Sequence, residues 1–339
     1  MTTPNYVGWG LIGASTIAHD YLIPAIRAQV NSAVIGVLSN NPIRGQQYAA
    51  DHDLERAYGS LDELLADPAI DAVYISTTNE KHKAQTLAAA AAGKHVLCEK
   101  PLALNLADAR EMVEACKAAN VIMGTNHHLR NAVTHRKLRE LVMTGSIGQP
   151  LYARVFHAVF LPPHLQTWRL NNPAAGGGVV LDITVHDADT LRFVLNAEAI
   201  AVTASTANHG MAAHGLADGV MGVMTFDNGV LAQFHDAFTV AHAPTGLQIH
   251  GTDGSLFAEN VMTQQPIGEI YLHTANGRKQ VAFDPPEDLY VHALRHFSDA
   301  IRGTGQPFAT SEDGVKSLAI ALAVEDATVS GQQVQVTDA

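Results

Sequence analysis

An aspartate and a histidine stand four residues apart at Asp182 and His186, so on a helix they share one face. Asp189 falls on the same side, and Thr184, Ala188, Leu191 and Leu195 form an opposing, mostly apolar stripe. A carboxylate beside an imidazole suits proton exchange with an alcohol, because imidazole titrates near neutral pH. The pair equally fits a capping aspartate and a partly buried histidine, and spacing alone leaves both open. Lys100 is a second candidate, within Glu99-Lys100-Pro101. A lysine at the carboxyl end of a strand can polarise a carbonyl and stabilise charge on its oxygen as hydride arrives. A surface ion pair with Glu99 is the plainer alternative, and Pro101 would hold the chain in a sharp turn that a cis bond could form.

With 18 histidines in the chain, a metal has to be weighed. His127 and His128 are adjacent and diverge whatever the backbone, while Asp182 and His186 would supply two ligands. No third ligand has convincing spacing, and there is no HExxH or paired-cysteine pattern, so no metal is expected.

The elements that must position these groups begin with a buried strand at residues 7–12, which runs into Gly13-Ala14-Ser15-Thr16-Ile17-Ala18 at the head of a helix. A strand, a tight glycine turn and a helix bring backbone amides to a pyrophosphate. Ser15 replaces the middle glycine of the usual GxGxxG/A pattern, and its hydroxyl can donate to phosphate. Strands at 33–39, 71–76, 95–98 and 121–124 alternate with helices at 44–52, 61–65, 82–92 and 106–119, which means a parallel sheet with right-handed crossovers. The second strand ends in Leu38-Ser39-Asn40-Asn41 with Arg44 beyond. It lacks the carboxylate that would bind an NAD ribose, so Ser39 and Arg44 favour NADP(H), although Arg44 alone is equally a solvated helix residue. Ser76, Thr77, Thr78 and Asn79 follow another strand, where small polar side chains can touch ribose and phosphate or cap a helix.

After residue 126 the pattern changes. A helix at 132–144 precedes long alternating strands at 151–159, 201–208, 220–226, 230–238, 247–250, 255–259 and 270–273, with a hairpin signal at Asp227-Asn228-Gly229. Two helices, 289–301 and 311–329, finish the chain. The expected fold is α/β: an N-terminal Rossmann doubly wound parallel sheet over residues 1–126, and a substrate-binding α+β domain with a large, mainly antiparallel open sheet over 127–339.

At 339 residues the chain is long enough for two domains. Its 47% hydrophobic and 16% charged composition is that of a packed globular protein. A net charge of −12 without a basic run argues against nucleic acid or an anionic membrane as partner. The two cysteines, Cys98 and Cys116, offer no disulfide framework, and the opening Met1-Thr2-Thr3-Pro4-Asn5-Tyr6 has no signal-peptide character. A cytoplasmic protein is expected, monomeric or a homo-oligomer joined through its open sheet.

These motifs, in this order and spacing over nearly the full length, resemble the Gfo/Idh/MocA oxidoreductase family. The runs that carry the likeness include Ser76-Thr77-Thr78-Asn79-Glu80, Gly124-Thr125-Asn126-His127-His128-Leu129-Arg130-Asn131, Phe160-Leu161-Pro162-Pro163-His164-Leu165-Gln166, and the Gly176-Gly177-Gly178 stretch leading to Leu181-Asp182-Ile183-Thr184-Val185-His186. The resemblance implies NADPH-dependent reduction of a sugar-type ketone, with inositol or other sugar dehydrogenases and a non-catalytic NADP sensor as alternatives. It makes Lys100, Asp182 and His186 the catalytic set, with His186 the proton donor. The cofactor set is Gly13, Ser15, Thr16, Ile17, Ser39, Arg44, Ser76, Thr77, Thr78, Asn79, His82, Glu99, Lys100 and Asn126. Beside the catalytic residues, His164, Trp168 and Arg169 complete the expected substrate site.

Overall fold

The computed structural model describes residues 6–337. Residues 1–5, most of the stretch read for a targeting signal, lie outside the described residues. Six strands form the first sheet: β1 (Val7–Ile12), β2 (Ser32–Leu38), β3 (Arg56–Tyr58), β4 (Ala72–Ile75), β5 (His95–Cys98) and β6 (Met123–Thr125). Their order is β3-β2-β1-β4-β5-β6, and every pairing is parallel. All of β1 is buried, as expected of an apolar run at the centre of a sheet covered on both faces. Because the strands are parallel, the loops after β1, β4 and β5 leave the sheet at one end, and the strand order reverses between β1 and β4, where such folds bind ligands. The short β3 carries no alternating pattern and goes unseen in the sequence.

The chain divides into two compact units. One unit runs to His127 and also takes up Tyr290–Val315; the other is His128–Leu289 with the chain from Lys316 onward. The reason is apolar burial. Phe297, on the helix Leu289–Ile301, packs against Trp9 of β1 with ring centroids 5.4 Å apart, and Tyr290 stacks on Tyr21 at 4.8 Å. Thr310 bridges to Gly124 of β6. These contacts span 186 to 288 positions of sequence, so no local pattern announces them.

In the second unit nine strands form one open sheet: β7 (Pro150–Ala158), β8 (Ala199–Ala207), β9 (Gly219–Phe226), β10 (Leu231–Ala237), β11 (Gly246–Gly251), β12 (Gly254–Glu259), β13 (Glu269–Thr274), β14 (Gly277–Gln280) and β15 (Val334–Gln335). Their order is β14-β13-β12-β11-β7-β10-β9-β8-β15. β9 and β10 are the hairpin marked by Asp227-Asn228-Gly229. All neighbours are antiparallel except β7 and β10, which run parallel and set His157 beside Asp236. Tyr152, Met221, Val223 and Leu231 are exposed. The helices Val133–Met143 and Val185–Leu195 pack on each other and on the sheet. Among the described residues no helix is long and apolar enough to cross a membrane.

His135, fully buried on the first of those helices, is pushed down to about 3 by burial, with His157 adding repulsion. The folded state therefore holds it neutral, while the unfolded chain takes up a proton below about 6.5. Its contribution to stability is complete above that pH and declines as pH falls toward 3, by at most about 1.4 kcal/mol per pH unit. His135→Leu is expected to remove this slope, so urea unfolding at pH 7 and pH 5 should show the variant gaining on the wild type at pH 5. An unchanged difference between the two pH values would show that His135 does not titrate on unfolding.

Candidate active site

The phosphate loop is shaped by Gly13. Its φ of +116° lies where side chains are strained, and a Cβ there would stand 3.1 Å from the backbone of Ser76. The loops after β1 and β4 thus touch at a point that admits only glycine. Ser15 Oγ accepts from the Ala18 amide at 3.2 Å and pairs with Ser76 Oγ at 2.7 Å, locking the two loops together. Thr16 is exposed beside it and Ile17 half-buried. This glycine cradle at the carboxyl ends of β1 and β4 fits a dinucleotide pyrophosphate.

At the end of β2, Ser39 is buried and its Oγ accepts from the Asn41 amide at 3.3 Å. Asn41 caps the helix Pro42–Asp51 by accepting from the Arg44 amide. The Arg44 guanidinium reaches back to donate to the Ala14 carbonyl at 2.5 Å, and Tyr48 Oη donates to the Ser15 carbonyl at 3.0 Å. Arg44 is thereby held against the phosphate loop instead of sweeping through solvent.

The loops after β4 and β5 are joined by a histidine. The His82 ring is fully buried, with Nδ1 2.9 Å from the Pro101 carbonyl and Nε2 3.2 Å from that of Thr77. Burial lowers its pKa, and each ring nitrogen faces a backbone carbonyl. The enclosed His82 ring ties the turn that carries Lys100 to the Thr77 loop. Glu99 is likewise buried, accepting from Tyr74 Oη and from Asn126 Nδ2, and burial raises its pKa. Its carboxyl anchors the same turn. Lys100 itself is half-buried and precedes a cis peptide bond. Thr77 Oγ1 donates to Gln85 and Thr78 Oγ1 to Glu80, each at 2.7 Å, while Asn79 is buried.

In the second unit, Gly177 brings two chain segments close: a Cβ there would lie 2.8 Å from the Trp168 carbonyl oxygen and 3.0 Å from that of Arg169. This approach lets Arg169 Nε donate to both Asp182 oxygens at 3.2 Å, with the Arg169 guanidinium over the Trp168 ring. His164 sits exposed on the preceding turn, Pro163–Leu165. Val180–Thr184 is wound as a single wide π turn ahead of the α-helix Val185–Leu195, a distortion common at functional sites. His186 is buried and packs edge-to-face on His128 at 4.7 Å, with the His157 ring 6.4 Å away. Asp189 is different from its neighbours: it is enclosed and held by Arg130, so it supports the helix. Among the described residues no three His, Cys, Asp or Glu side chains gather as a metal site requires.

Residues 7–127 match the Gfo/Idh/MocA oxidoreductase family with its NAD-binding Rossmann fold, and residues 135–257 match the C-terminal domain of the same family. The chain belongs to the Gfo/Idh/MocA oxidoreductase family. It is accordingly an oxidoreductase that uses a nicotinamide cofactor. It is 57% identical to the 1,5-anhydro-D-fructose reductase of Ensifer adhaerens over 97% of this chain and 98% of that one. It is 29% identical to the myo-inositol 2-dehydrogenase of Thermotoga maritima, covering 84% and 85% of the two chains. Among solved structures, the aldose-aldose oxidoreductase of Caulobacter crescentus superposes with a TM-score of 0.89 at 24% identity over 97% of this chain and 99% of that one, which establishes the shared fold.

His157, Asp187 and Asp236 were not singled out from the sequence. The adjacency of Asp187 to His186 was the only available signal; Asp236 joins them solely through the parallel pairing of β7 and β10.

Proposed function

We propose that the chain reduces a sugar-type ketone with NADPH, namely 1,5-anhydro-D-fructose to 1,5-anhydro-D-mannitol. The observation that carries this is the 57% identity, over 97% of the chain, to a 1,5-anhydro-D-fructose reductase. Gly13, Ser15 and Ser76 would hold the pyrophosphate, and Ser39 with Arg44 the 2′-phosphate. When bound, the cofactor supplies the hydride. Lys100 supplies positive charge to the carbonyl oxygen, which becomes negative as its carbon is reduced. His186 donates the proton that makes the alcohol, and Asp182 with Arg169 orients the sugar hydroxyls. The direct test is NADPH oxidation with 1,5-anhydro-D-fructose against a panel of ketoses. Turnover of this substrate above the panel supports the assignment; tight NADPH binding with no turnover of any sugar overturns it. The inositol-dehydrogenase relative motivates one competing outcome, reduction of NAD⁺ or NADP⁺ when a polyol is offered.

The preference for NADPH rests on the end of β2. Arg44→Ala is expected to cost roughly 1.5–3 kcal/mol of NADPH binding through loss of a charged hydrogen bond, with NADH binding nearly unchanged. Ser39→Asp should shift preference toward NADH by placing a carboxylate where the 2′-phosphate would sit. Fluorescence titration with both cofactors measures this, and equal losses for NADPH and NADH in Arg44→Ala would make Arg44 a purely structural tie to Ala14.

A further inference from the structure

Behind His157 lie two aspartates with no access to solvent. Asp187 and Asp236 are both fully buried. Asp187 Oδ1 is 2.8 Å from His157 Nδ1, and Asp236 Oδ2 accepts from Thr184 Oγ1 at 2.6 Å. The remaining oxygens, Asp187 Oδ2 and Asp236 Oδ1, have no donor; the β7–β10 register sets Asp236 beside His157, whose ring meets Asp187, so the two buried carboxyl groups act on each other. Ionised carboxylates only accept, so two of them cannot satisfy one another; a single proton between them satisfies both.

We propose that Asp236 retains its proton and donates it to Asp187, and that Asp187 is thereby the single buried charge that orients His157 as a positioning residue beside His186. The assignment of proton and charge follows from the outer partners. Asp187 faces an imidazole, which can donate Nδ1–H and carry positive charge, whereas Asp236 faces a neutral hydroxyl. Burial pushes Asp187 up to about 7, and Asp236 is raised well above the usual carboxylate range, by burial first and then by the adjacent Asp187 charge. Other titratable groups on the surrounding elements are His157 on β7, His135 on the helix Val133–Met143, and His186 and Asp189 on the helix Val185–Leu195, where Asp189 is held by Arg130. The consequence for the reaction is electrostatic. A fixed negative charge behind His157 favours the protonated state of this histidine group and delays loss of the donor's proton as pH rises. This role rests on His186 being the proton donor in the proposed reductase.

Two isosteric variants separate the partners. Asp236→Asn keeps a neutral N–H donor toward Asp187, whereas Asp187→Asn removes the charge. In steady-state reduction of 1,5-anhydro-D-fructose by NADPH, Asp187→Asn is expected to move the alkaline limb of the kcat profile down by about one pH unit, and Asp236→Asn to leave the limb in place. Infrared difference spectra at pH 8 give a readout independent of turnover: the carbonyl stretch of a protonated carboxylic acid should be present in the wild type and lost in Asp236→Asn. The proposal is overturned if Asp236→Asn leaves that band intact, if both variants move the limb equally, or if neither moves it. A wild-type profile without an alkaline limb would instead overturn His186 as donor, and the infrared arm would still decide where the proton resides.

Discussion

His186→Ala is expected to lower kcat for ketone reduction by about 10²–10⁴-fold, the usual worth of a positioned general acid, while NADPH affinity stays near wild type. The expectation follows from where the charge develops. Hydride arrives at carbon and leaves oxygen negative, so a proton donor acts mainly in the transition state and contributes little to cofactor binding. His186 lies on an α-helix just beyond a π turn, packed on His128, which restricts its ring to few orientations. Lys100→Ala should also reduce kcat, with weaker sugar binding as well. Because Lys100 and His186 would act on one developing charge, the double variant should lose less than the product of the single effects. Wild-type turnover should fall at high pH as the donor loses its proton. Steady-state kinetics with NADPH fluorescence titration of each variant measures all of this. Wild-type kcat in His186→Ala would transfer the acid role to Lys100 or to a water.

The largest stability effect is expected at Asp189. Its side chain is enclosed and receives Arg130 Nε at 2.9 Å together with a second bond from the same guanidinium, itself buried. Arg192 approaches the same carboxylate at 3.9 Å. Removing one member of a buried pair strands the other without solvent, at a cost of about 3–5 kcal/mol. Asp189→Leu should therefore lower the urea midpoint sharply. Adding Arg130→Met should recover much of the loss, because an apolar pair leaves no uncompensated charge at that contact. If the single variant unfolds like wild type, water must reach the Arg130 guanidinium. The sequence placed Asp189 on the same face as Asp182 and His186; in the fold its carboxylate is taken up by Arg130.

Much of the candidate site was legible because its signals are local. A glycine turn between strand and helix, the missing acid after β2, the Glu99-Lys100-Pro101 turn and the four-residue spacing of Asp182 and His186 each depend on a few consecutive residues and on chain periodicity. For the same reason the parallel sheet and the long alternating strands were readable, since crossover helices and two-fold alternation repeat along the chain. What the amino-acid sequence alone determined was thus the family, the two sheet types and the residues that could carry hydride-linked proton chemistry. Tertiary structure decided which polar side chains serve the fold. His82 and Glu99 are enclosed and tie the turn around Lys100 to its neighbours, contacts that local spacing does not show. Trp9 and Phe297, or His157 and Asp236, meet only because distant segments share a core or a parallel strand pair. Such meetings are set by burial of whole faces, and no local spacing in the chain encodes them.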